Sequence, residues 1–156
     1  MTRRALRYSD GMVTVRIHRL DPAVPLPKYE TGGSAGFDLA ASADVTIAPG
    51  TIALVPTGLV IEVPRGHFLG IFARSSTPLK KGLMVANGVG VIDEDYCGQA
   101  DEVKIQVLNF TQAPVAVKRG DRIAQGLFIP IARAAWQEET GDLRNGSRGG
   151  FGATGG

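Results

Sequence analysis

A chain of 156 residues makes one ordinary domain with a buried core, and its 21 glycines, about twice the usual share, ask for so many tight turns that a helix bundle is excluded. A hydrophobic content of 44% excludes global disorder, no run approaches a membrane span, and the lone cysteine, Cys97, excludes a disulfide scaffold and a multi-cysteine zinc site. The net charge of +2 arises where Arg3, Arg4 and Arg7 face Asp10 within the first twelve residues, so the rest of the chain balances and carries no bias toward nucleic acid.

Residues 1–11 read as a flexible basic extension. They lack the apolar stretch of a secretory signal, so the expected location is the cytoplasm. Met12 opens the first strand-like run, and Val13-Thr14-Val15-Arg16-Ile17 alternates. Pro22 to Pro27 reads as an extended connector. Leu59 to Val63, His67 to Ala73, Val103 to Phe110 and Arg122 to Ile131 are further strand candidates. Between them lie Ala48-Pro49-Gly50, Pro56-Thr57-Gly58, Pro64-Arg65-Gly66 and Lys118-Arg119-Gly120-Asp121, each with a residue that pre-sets φ or tolerates a positive one. Turns about eight residues apart indicate an all-β sandwich or barrel over residues 12–140.

One helix is expected, of one to two turns, around Ser75 to Gly82. Thr77 would cap it, Pro78 would take the first helical position and Gly82 the stop. Residues 141–156 differ from the body: seven of the sixteen are glycine. Such an arm builds no core of its own and is either disordered or ordered by a ligand.

Three constellations carry chemistry. Arg74-Ser75-Ser76 ends a strand and opens the short helix, where a guanidinium, two hydroxyls and free backbone N–H groups suit a phosphate; they equally suit a capping cluster. Asp93-Glu94-Asp95, before Tyr96, follow the glycine-spaced strand Gly88 to Val91. In a hairpin tip these carboxylates bind metal, activate water or merely solvate a turn, and Tyr96 is a sugar platform or a half-buried aromatic. Ser147 to Gly155 offers Arg148, Phe151 and a run of N–H groups that can close over a triphosphate, or a flexible tail.

Together and in order, these segments resemble the five motifs of the trimeric deoxyuridine triphosphate nucleotidohydrolase (dUTPase) family. Ala35-Gly36-Phe37-Asp38-Leu39-Ala40 resembles the first and Ala73 to Ser76 the second. Asn87 through Gly98 resembles the third, Gly120-Asp121-Arg122-Ile123-Ala124-Gln125 the fourth, and Arg148 through Gly155 the fifth. The resemblance covers about residues 12 to 155. It implies a jelly-roll β-barrel and a homotrimer whose sites are shared between subunits, the arm of one chain closing a site built by its neighbours. The implied reaction is dUTP and water to dUMP and pyrophosphate with Mg²⁺, which keeps uracil out of DNA and supplies dUMP; neither nucleic acid nor membrane is an expected partner.

The resemblance also implies roles. Asp93 would be the general base for water attacking the α-phosphorus. Asp38 would hold Mg²⁺ through a water. Arg74, Ser75, Ser76 and Gln125 would grip phosphate oxygens, and Arg148 with Thr154 would reach the γ-phosphate. Asn87 and backbone groups of Gly90 and Val91 would read the uracil edge, Tyr96 would pack under the deoxyribose and Phe151 would stack over the base. Ala153 stands where serine is frequent, Phe37 replaces a common tyrosine, and Gly98 to Glu102 is longer than usual.

Two rivals share the scaffold. A deoxycytidine triphosphate deaminase carries a glutamate three residues before the asparagine ending the next strand; counted back from Asn109, that position is Gln106, which cannot shuttle a proton. A non-catalytic nucleotide sensor would bind dUTP without releasing pyrophosphate. His18 and His67 are expected to be strand residues without a catalytic task, and Trp136 is expected to pack beyond the last strand.

Overall fold

Alternation of apolar and polar residues decides which way each strand faces. In Lys104–Asn109 the residues Ile105, Val107 and Asn109 point inward and Lys104, Gln106 and Leu108 outward. The computed structural model describes residues 12–144, 146, 147 and 149. Its strands are β1 (Ile17–Arg19), β2 (Phe37–Ala40), β3 (Val45–Ile47), β4 (Ile52–Pro56), β5 (Leu59–Ile61), β6 (His67–Ala73), β7 (Leu83–Val85), β8 (Gly90–Ile92), β9 (Lys104–Asn109), β10 (Val115–Val117) and β11 (Arg122–Pro130). One helix, α1 (Ser76–Lys81), lies between β6 and β7. This is the all-β architecture with one short helix that the turn spacing indicates.

Every ladder is antiparallel. One sheet runs in the order β2-β11-β6-β8 and a second in the order β4-β9-β7, with β1–β5 and β3–β10 as two-stranded ladders. They enclose one core, whose fully buried members include Leu39, Ile61, Leu69, Ile105, Val107 and Ile123. Asn109 is buried at the end of β9 and ties the sheets together. Its Nδ2 donates to the carbonyls of Ile47 (2.9 Å) and Ala113 (2.8 Å), and its Oδ1 accepts from the Thr111 amide (2.9 Å). No helix among the described residues is long and apolar enough to cross a membrane.

Several local expectations need correction. The alternating run from Val13 forms a strand only from Ile17 onward. Helix α1 starts two residues earlier than expected, with Ser75 at its N-cap and no side-chain cap. Thr77 is therefore inside the helix, and its hydroxyl donates to the Ile123 carbonyl instead (2.8 Å). Gly82 does stop the helix, in the left-handed region at φ 65°. Gly88 is not part of a strand. It sits in a turn at φ 73°, and β8 begins at Gly90. Nor is the acidic segment a hairpin tip, because β8 pairs with β6 while β9 pairs with β4 and β7. Trp136 is 93% exposed and packs on nothing among the described residues. His18 and His67 lie on β1 and β6, as expected.

Candidate active site

Motif residues gather first at one end of the β2-β11-β6 sheet. On β2, Asp38 faces Gln125 of β11 across the ladder, and Gln125 in turn faces Phe72 of β6. Arg74 and Ser75 follow directly from β6, and Ser76 opens α1. The sheet register thus brings segments remote in the chain to one edge.

A β-bulge locks this edge. The β2–β11 register shifts between Arg122 and Ala124. Bulged residues lose ladder partners, and here side chains supply them. Arg74 Nη1 donates to the Arg122 carbonyl (3.2 Å) and Thr77 Oγ1 to the Ile123 carbonyl (2.8 Å). The turn after β6 is thereby bolted to the start of β11. Gln125 adds a third bolt, its Nε2 donating to the Ala73 carbonyl (3.1 Å).

The charges are paired in series. Arg74 Nε lies 2.8 Å from Asp38 Oδ1, and Arg122 Nη1 lies 2.9 Å from Asp38 Oδ2 and 2.7 Å from Glu30 Oε1. Glu30 first, and Asp38 with it, push the Arg122 guanidinium further above its ordinary range. The Arg74 and Asp38 side chains are 27% and 14% exposed, so the inner pair is shielded while the outer one is wet. Arg74 commits Nε and Nη1, leaving Nη2 without a partner among the described residues. The hydroxyls of Ser75 and Ser76 beside it likewise have none. An edge with one free guanidinium face and two free hydroxyls is suited to an anion. Sequence reasoning left Arg122 and Glu30 without roles. The basic residue was visible inside the fourth motif, but only tertiary contact reveals its two acidic partners.

A second group lies around β8, an edge strand of the same sheet. Asn87 is exposed in the turn before it, Gly90 is buried against Ile71, and Val91 is 57% exposed. The outer edge of β8 has no strand partner among the described residues, so its backbone groups are open to a ligand. In the turn that follows, one of the three carboxylates is engaged and two are not, Asp95 being exposed and without a partner among the described residues, like Asp93. Glu94 accepts from the Gly66 amide (3.0 Å) and approaches Arg133 (3.5 Å), so it is structural. Asp93 is exposed, and its carboxylate has no partner among the described residues. Tyr96 is 40% exposed. The longer stretch after it closes on itself, the Gly98 amide donating to Asp101 Oδ2 (2.7 Å).

These two groups do not meet within one chain. Leu69 pairs with Ile92, so Asp93 lies beside Phe68, six residues along β6 from Arg74. At roughly 3.3 Å per residue the separation is about 20 Å. Arg148, Phe151 and Thr154 lie outside the described residues.

Among the described residues no group of three or more His, Cys, Asp or Glu side chains could hold a metal ion. Both Asp38 oxygens are already ion-paired to guanidinium groups. Asp38 therefore suits an outer position on a hydrated cation whose direct ligands come from elsewhere.

A family model described as dUTPase matches residues 23–155. The deoxyuridine 5'-triphosphate nucleotidohydrolase of Anaeromyxobacter sp. (strain Fw109-5) is 45% identical over 148 residues, covering 92% of this chain and 98% of that protein. That of Thermobifida fusca (strain YX) is 46% identical over 149 residues, covering 94% and 81%. The crystal structure of a dUTPase from Streptococcus mutans superposes with a TM-score of 0.71 at 37% identity, over 78% of this chain and 98% of that one. A Staphylococcus bacteriophage 80alpha dUTPase with dUPNHPP reaches a TM-score of 0.80 over 92% and 99%; at 21% identity it is a likeness of fold alone.

Proposed function

The chain belongs to the dUTPase family and is an enzyme of dUTP hydrolysis, and we propose that it releases pyrophosphate by attack of an Asp93-activated water on the α-phosphorus, as a cytoplasmic homotrimer with shared sites. The observation that carries this reading is the free face of Arg74 beside the unengaged hydroxyls of Ser75 and Ser76, held open by Asp38 and the Arg122 carbonyl.

In this reading Arg74, Ser75, Ser76 and Gln125 bind the phosphate chain. Pre-orientation of Arg74 by two fixed partners lowers the ordering cost on binding. Asp38 would hold a triphosphate-borne Mg²⁺ through a water, and the ion would supply neutralisation of phosphate charge. Asp93, exposed and free of protein partners, is able to accept a proton from water. The open edge of β8, with Asn87, reads uracil; cytosine would leave donors facing donors, a mismatch worth about 1–3 kcal/mol per group.

The gap of about 20 Å along β6 between Asp93 and Arg74 supports sharing of the site, since one triphosphate does not span it. A second copy bringing its own Asp93 to the Arg74 edge closes the gap. Arg148, Phe151 and Thr154 are proposed to complete the site from a third. Gln106, at the position where the deaminase needs a carboxylate, supports hydrolysis over deamination.

A nucleotide panel tests the reading. With Mg²⁺, pyrophosphate is expected from dUTP and not from dCTP, dTTP or UTP, and a chelator should suppress it. Ammonia from dCTP, or tight dUTP binding without pyrophosphate, would reject it.

A further inference from the structure

We propose that Glu30, in the connector ahead of β2 and outside every motif, is a positioning residue for the triphosphate: it pins Arg122 against Asp38 so that Asp38 presents Arg74 to the substrate. The inference rests on the function proposed above for the Arg74 edge.

The geometry is a chain of four alternating charges. A single nitrogen, Arg122 Nη1, lies 2.7 Å from Glu30 and 2.9 Å from Asp38. Asp38 then has one oxygen on Arg122 and the other on Arg74. A carboxylate held at both oxygens is fixed in rotation; held at one, it swings. Arg122 is an exposed, long side chain at the start of a strand, and it loses much rotamer freedom when held. Glu30 shares that ordering cost. Without it Arg122 is free to leave Asp38 and turn toward the phosphates, and Arg74 Nε faces a mobile partner.

The sign of the effect separates this role from simple charge. Glu30, Asp38, Arg74 and Arg122 sum to zero. Removing the Glu30 charge makes the edge net positive, which by long-range attraction alone would tighten binding of a polyanion. A positioning role predicts the opposite. The pair is about half exposed, so the effect is that of a surface ion pair, about two- to fivefold.

The test compares steady-state pyrophosphate release by the full-length chain with that of Glu30→Gln, Glu30→Asp, Arg122→Gln and the Glu30→Gln/Arg122→Gln double variant, with Asp44→Asn as a remote ion-pair control. Glu30→Gln should raise KM for dUTP about two- to fivefold and leave kcat and the melting temperature unchanged, since ground-state phosphate binding is what is lost. Glu30→Asp should recover part of the loss, and Asp44→Asn should leave KM for dUTP unchanged. In the Arg122→Gln background, or in Arg122→Met if the glutamine variant does not fold, adding Glu30→Gln should have little further effect. An unchanged or lower KM in Glu30→Gln, or an equal rise in both backgrounds, overturns the positioning role while wild-type turnover still upholds the function. A wild-type chain that neither hydrolyses nor binds dUTP overturns both.

Discussion

Asp38 on β2 stands directly across the ladder from Gln125 on β11, and both reach the same short turn after β6. Asp38 holds it through Arg74 Nε at 2.8 Å, and Gln125 through the Ala73 carbonyl at 3.1 Å. The Arg74 edge is thus a product of register. A slip of one residue in this ladder would turn both side chains to the other face.

Asp93→Asn removes the proposed base and keeps the size of the side chain. Turnover should fall by about 10²–10⁴-fold, while dUTP binding, measured by calorimetry, stays within a few-fold. Near-normal hydrolysis would take Asp93 out of the base role. Since the carboxylate has no protein partner among the described residues, the melting temperature should not change.

Thr77→Val removes the donor that satisfies the bulged Ile123 carbonyl. Thr77 is 3% exposed, so water does not replace it. A loss of about 1–3 kcal/mol is expected from urea unfolding. Because the same bulge carries the Arg122 carbonyl that orients Arg74, KM for dUTP should rise as well.

Gly36→Ala probes the close approach of β2 and β11. A Cβ at Gly36 would lie 2.8 Å from Gln125 Oε1 and 2.9 Å from Leu127 Cδ1. The Gln125 amide must then rotate away from the Ala73 carbonyl. Overpacking of this kind costs about 1–3 kcal/mol. Thermal unfolding should report it, with a severalfold rise in KM.

Asp121 accepts from Lys81 Nζ (2.8 Å) and the Lys118 amide (3.0 Å), and these hold its carboxyl below the usual value of 3.8. A depressed folded-state pKa contributes stability that is present above the unfolded value and disappears as pH falls through the folded one. Asp121→Asn should therefore cost about 0.5–1 kcal/mol at pH 7. The difference from wild type should shrink below about pH 3.8. Equal destabilisation at neutral and acid pH, in urea titrations, would count against the linkage.

The sequence by itself determined the class of fold and its longest strands. His67–Ala73 has in the structure the bounds read from the chain, because Pro64-Arg65-Gly66 sets its start and the turn at Arg74 its end. The three-residue strands β3, β7 and β10 were not legible, since so short a run carries no period of its own and exists only through its partner. Chemistry was legible as motifs: Asp38, Arg74 and Gln125 do converge. Only tertiary structure decided which of the three acidic neighbours is engaged, because Glu94 is claimed by an amide in a distant turn while Asp93 and Asp95 are not. It alone decided that Glu30 and Arg122 meet, and that Arg74 and Asp93 do not. The physical reason is common to these cases: local propensity acts over a few residues, whereas strand register sets which distant side chains share an edge, and nothing in a linear spacing encodes that pairing.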